Sequence, residues 1–95
     1  SYWRGEMFIS HDKRNKFDRY AVRVQAREIS YVTVGYLPAN EANKGLIEFL
    51  DGERLAVPAK IAGGRDNQGG RRSYYGVYLE MTNETLNGYV WEPTK

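Results

Sequence analysis

The stretch that decides the fold is RYAVRVQA (19–26), followed by SYVTVGYL (30–37) and then NEANKGLIEFLDG (40–52). The first two segments are rich in valine and tyrosine and alternate in polarity, which predicts strands. In the third, Ala42, Leu46, Phe49 and Leu50 recur at helical spacing, with Asn40 as a start signal and Gly52 as a stop signal. Gly45 costs such a helix about 1 kcal/mol against alanine, so the helix is expected to lean on packing. Working outward, EMFIS (6–10), LAVPAKIA (55–62), SYYGVYLEM (73–81) and GYVW (88–91) read as further strands, and GGRDNQGG (63–70) as a flexible loop between two of them. Six short strands around one helix predict a mainly β fold, a small six-stranded, partly open barrel of the OB-like or SH3-like kind.

Ninety-five residues suffice for one domain with a modest core, spanning 1–95 without an internal repeat or dividing linker. A chain that is 41% hydrophobic and 27% charged is an ordinary globular composition. No apolar run approaches the roughly 18 residues that cross a bilayer, and no signal-peptide pattern opens the chain. Cysteine is absent, which removes disulfides, thiol chemistry and zinc fingers together. A cytoplasmic location is expected. The chain begins at Ser1, as a fragment of a longer protein would.

The net charge of +2 hides a block pattern. Residues 1–27 carry seven cations against three acids, and residues 59–79 carry four against one. The segments 28–58 and 80–95 are acidic. If the basic segments meet, they form one electropositive face; the alternative is an unevenly solvated surface. In RYAVRVQAR, alternation sets Tyr20, Val22, Val24 and Ala26 on one face and Arg19, Ala21, Arg23, Gln25 and Arg27 on the other. An arginine row from Arg19 to Arg27 would span about 26 Å, enough to follow several phosphates, or would simply be a solvated face.

Catalysis is poorly supplied. His11 is the only histidine, no EF-hand spacing appears, and AGGRDNQGG lacks the lysine-serine ending of a phosphate-binding P-loop. A non-catalytic domain without cofactor or metal is expected.

Aromatics are more informative. They include eight tyrosines, and several sit beside cations in YWR (2–4), KFDRY (16–20) and RRSYY (71–75). Proteins that hold single-stranded nucleic acid join a basic groove to aromatic platforms, whereas small β domains also use aromatics for packing. Phe17 stands apart, because charged Lys16 and Asp18 flank it where a loop enters a strand.

HDKRNKFDRYAVRV (11–24) followed by VGYLP (34–38) resembles the HIRAN domain pattern, with VPAKIAGG and YYGVYLEM in further agreement. In that pattern an Arg-acid-Pro-x-Asn-Pro-aromatic-Asp loop leads into a strand, and a Val-Gly-His/Tyr-Leu strand leads into a helix. The likeness covers residues 7 to about 81. It implies an OB-like barrel that grips the 3′ end of single-stranded DNA, or of RNA, alone or within a larger helicase-like protein of replication and repair. Carried over, Phe17 would stack on the terminal base and Asp18 would accept a hydrogen bond from the 3′-hydroxyl. Asn15 would shape the pocket, Tyr36 would face the terminal phosphate, and Tyr74 would stack the next base. Arg14, Lys16, Arg19, Arg23 and Arg72 would surround the strand with positive charge. The chain departs from the pattern at His11, Lys13, Lys16 and Ala39, leaving a more basic, less rigid loop that lacks one phosphate-binding lysine. For Asp18 the alternative is a backbone cap with no ligand. For the whole domain the alternatives are a protein-docking module or a barrel whose pocket has decayed.

Overall fold

A computed structural model of the chain describes residues 3–63 and 75–93. Five antiparallel strands, β1 (Trp3–His11), β2 (Val22–Ala26), β3 (Val32–Tyr36), β4 (Leu55–Gly63) and β5 (Tyr75–Leu79), form one sheet in the order β3-β2-β1-β4-β5. The sheet curls into an open half-barrel. The one α-helix among the described residues, α1 (Ala42–Leu50), carries the chain from the β3 edge back to β4. The mainly β, one-helix architecture expected from the sequence is therefore what the chain adopts.

Alternation drives the packing. Met7 and Ile9 of β1, Val22 and Val24 of β2, and Val57 and Ala59 of β4 point to the concave side, where Leu46 and Leu50 of α1 and Leu86 meet them. Ile9, Val22, Val57, Leu46 and Leu86 are wholly buried, which makes this layer the hydrophobic core.

The expected sixth strand, GYVW (88–91), is not formed. Asn87 and Gly88 take left-handed backbone angles, φ 52° and 92°, and turn the chain back over the helix. The segment finds its partners there instead of along a strand edge. Tyr89 stacks on Phe49 with ring centroids 5.1 Å apart, and Trp91 Nε1 donates to Asn43 Oδ1 at 3.2 Å. Asn43 is fully buried, and its amide also donates to the Pro38 carbonyl, so one side chain ties helix, β3 exit and C-terminal segment together. Tyr89 also accounts for Gly45: a Cβ at that position would lie 2.5 Å from the Tyr89 hydroxyl.

Three boundaries differ from expectation. β1 begins at Trp3, so Trp3 and Arg4 belong to the sheet. β2 begins only at Val22, because the preceding residues are held in a hydrogen-bonded loop. Arg27 lies in a 3₁₀ turn, Arg27–Ile29, followed by left-handed Ser30 and Tyr31. The row of three strand arginines therefore does not exist; only Arg23 stands in β2. The other expected outward positions are not simply solvated either, since Ala21 and Gln25 are buried. GGRDNQGG from residue 64 onward, Arg72 and Tyr74 lie outside the described residues.

Candidate nucleic-acid interface

The loop from Asp12 to Ala21 joins β1 to β2, and its own side chains wind it. Asp12 N–H donates to the Ala21 carbonyl at 3.0 Å and closes the loop at its base. Asn15 Oδ1 accepts from both the Phe17 and Asp18 amides at 2.9 Å. Asp18 Oδ1 accepts from the Tyr20 amide at 2.9 Å, and Asp12 Oδ1 accepts from the Arg14 amide at 3.2 Å. His11 Nε2 lies 2.9 Å from the Arg19 carbonyl, an acceptor, so this ring nitrogen carries the proton. Asp and Asn side chains satisfy backbone groups that a short loop leaves unpaired, which orders a loop that contains no proline.

Phe17 is the consequence. Its ring is 99% exposed, although the backbone amides of Phe17 and its neighbour are fixed. An apolar ring standing wholly in water on an ordered loop contributes nothing to the core. Asp18 beside it is half-buried. One of its oxygens serves the backbone cap; among the described residues the other has no hydrogen-bond partner. The capping reading of Asp18 is thus observed for Oδ1 alone.

Tyr36 reaches this loop from β3. A register shift between Val24 and Gln25 leaves Val34 as an extra residue, so Gly35 pairs with Val24 and Tyr36 with Arg23. The bulge turns Tyr36 onto the convex face beside Arg23, and its hydroxyl donates to Asp12 Oδ2 at 2.7 Å. That hydrogen bond is the largest influence holding the Asp12 carboxyl below its ordinary range; desolvation opposes it, and the Arg14 amide, Arg23 and His11 add to it. The same bond raises the Tyr36 hydroxyl above its ordinary value, while Arg23 and the Asn15 side chain act in the opposite sense.

Arg23 is itself anchored. Its Nε donates to Ser10 Oγ at 2.9 Å, Ser10 donates to Gln25 Oε1 at 2.9 Å, and Gln25 Nε2 donates to the Tyr31 carbonyl at 2.9 Å. Ser10 and Gln25 are buried, so this chain of hydrogen bonds is shielded and directional. The sequence assigns Asp12 and Ser10 no role and gives Gln25 only a place on the same strand face as Arg23. The available signal was that Ser10 and Gln25 are polar at strand positions sharing a face with Arg23.

The structure thus brings Asn15, Phe17, Asp18, Tyr36 and Arg23 to one end of the half-barrel. Lys13, Arg14, Lys16 and Arg19 are exposed on the same loop, and the Arg19 guanidinium lies 5.7 Å from the Tyr20 ring centre. Ala39 is exposed beyond β3.

Beside Tyr36 runs a groove of about 270 Å³ along the seam that the barrel leaves open. Val34 and Tyr36 line one side, Val77 and Tyr78 the other, with Pro38 and Trp91 also in its wall. Among the described residues no cluster of three or more histidine or carboxylate side chains is placed to hold a metal, and no helix is long and apolar enough to cross a membrane.

Fold and site together define a small mainly β half-barrel bearing an exposed aromatic-acid pair on a cationic loop. Comparison of the chain with protein-family models, with characterised proteins and with solved structures returned no match.

Proposed function

We propose that this half-barrel is a HIRAN-like module that binds single-stranded nucleic acid, DNA in the first instance, and prefers a free 3′-hydroxyl end. The observation that carries the proposal is the Phe17 ring, wholly exposed on a hydrogen-bonded loop, next to a carboxylate one of whose oxygens has no hydrogen-bond partner among the described residues. A ring in that position offers a stacking surface to any base, and stacking is worth about 1–3 kcal/mol per base. The Asp18 carboxylate accepts a hydrogen bond from a terminal hydroxyl and repels a terminal phosphate or a strand that continues. Lys13, Arg14, Lys16, Arg19 and Arg23 offset that repulsion for the rest of the backbone.

The test is a pair of anisotropy titrations at low salt, with oligonucleotides that differ only in a 3′-hydroxyl or 3′-phosphate end. Tighter binding of the hydroxyl end is expected. Equal affinity removes the end-sensing role, and no binding of either removes the nucleic-acid reading. A protein-docking role is the competing reading, and the exposed apolar Val32, Val34 and Val77 at the sheet edges favour it. It requires a partner whose affinity is insensitive to moderate salt.

A further inference from the structure

A second cation-aromatic cluster lies across the open seam from the Phe17 loop. In the β1–β4 and β4–β5 registers, Arg4 pairs with Lys60 and Lys60 with Tyr78, so the three side chains form one row on the convex face. Two like charges directly opposite one another in a sheet are mutually unfavourable. Among the described residues neither is within ion-pair distance of a carboxylate. Lys60 Nζ lies 5.7 Å from the centre of the Tyr78 ring. The ring lies against Gly76, where a Cβ would sit 2.8 Å from its hydroxyl. These side chains border a groove of about 210 Å³ whose wall also includes Pro58 and Glu80.

Tyr78 lines both this groove and the seam groove, whose other wall is Tyr36. Among the described residues the two grooves meet at Tyr78, so a path leads from Tyr36, hydrogen-bonded to Asp12 of the loop, across the apolar seam to Tyr78, Lys60 and Arg4. The direct route down β1 is different: Glu6 and Glu80 flank Pro58 in the adjoining row of the sheet. The carboxylates of that row disfavour a polyanion on the open face.

We infer that Arg4, Lys60 and Tyr78 form a second contact for the same strand, holding the phosphodiester backbone several nucleotides inward from its end. This inference rests on the proposed nucleic-acid binding and extends it beyond the end pocket. The seam receives bases on its apolar walls, and the two cations take phosphates at its far side. A longer footprint follows, within the four to sixteen nucleotides that barrels of this size cover.

The test uses the whole chain, with a trimer and a dodecamer of thymidylate, both ending in a 3′-hydroxyl, titrated over a range of salt. The dodecamer is expected to bind at least about tenfold more tightly than the trimer. In the R4Q/K60Q double variant, dodecamer affinity falls toward the trimer value, and the slope of log affinity against log salt becomes shallower by about 1.4, the share of two single-strand phosphates. Trimer affinity stays unchanged in that variant. Gly76→Ala keeps both cations but displaces the Tyr78 ring, and it too weakens only the dodecamer. Equal affinity for both lengths, or a double variant indistinguishable from the parent on the dodecamer, overturns the second contact while leaving the end pocket standing. Failure of both oligonucleotides to bind overturns the end pocket and the inference together.

Discussion

Phe17 and Asp18 separate cleanly by substitution, because one has no structural duty and the other has half of one. Phe17 touches nothing that stabilises the fold, so Phe17→Ala should leave the unfolding free energy within about 0.5 kcal/mol. The same change should cost about 1–3 kcal/mol in single-strand affinity, roughly five- to 150-fold, read by anisotropy. For Asp18 the informative pair is Asp18→Asn against Asp18→Ala. Asparagine retains an acceptor for the Tyr20 amide and removes the charge. It should abolish discrimination between 3′-hydroxyl and 3′-phosphate ends while preserving stability; alanine should lower both. A full preference in the asparagine variant would mean that the carboxylate only caps the turn.

At the scale of the element, the loop is a scaffold built from Asn15, Asp12 and Tyr36. Asn15→Ala leaves the Phe17 and Asp18 amides without their acceptor and, by analogy with a lost helix cap, should cost about 0.5–2 kcal/mol. Hydrogen exchange at those two amides should accelerate, and affinity should fall although the ring remains. The Tyr36–Asp12 bond carries its own pH window. Asp12 is depressed, so its contribution is present above the ordinary aspartate value and fades as pH falls through its lowered one. Tyr36 is raised, so its contribution is present below the ordinary tyrosine value and fades as pH rises through its raised one. Loop order, followed by the Tyr36 ring resonances, should hold from about pH 4 to about pH 10 and loosen outside that range. In α1, Gly45→Ala should not yield the roughly 1 kcal/mol that helix propensity promises, because the new methyl meets Tyr89. Thermal unfolding, with near-ultraviolet circular dichroism for the Phe49–Tyr89 stack, measures this.

For the whole molecule, stability rests on one layer of side chains between the sheet and α1. Leu46 is wholly buried at its centre, and Leu46→Ala should cost about 2–5 kcal/mol by chemical denaturation. Among the described residues no strand closes the barrel between β3 and β5, and Trp91 of the C-terminal segment stands in the wall of that seam. Trp91→Phe removes the indole donor from buried Asn43 and should cost about 1–3 kcal/mol in the same measurement.

The alternation of Val22, Val24 and Ala26, the valine-rich SYVTVGYL and the Leu46–Leu50 spacing were enough to determine a mainly β fold with one helix. Burial of one face follows directly from a period of two or of 3.6. The Asp18 cap was legible too, because short-range turn chemistry depends on neighbours in the chain, whereas Asn15 was reached only through the resemblance. Long-range pairing was not. Only the tertiary structure replaced the arginine row with a single Arg23 anchored through Ser10 and Gln25, and turned GYVW into a strap over the helix. Only the bulge at Val34 set Tyr36 on Asp12, and only the sheet order set Arg4 beside Lys60 and Tyr78. Such contacts depend on register and on which edges remain open, quantities decided by the packing of the whole chain and carried by no local stretch of it.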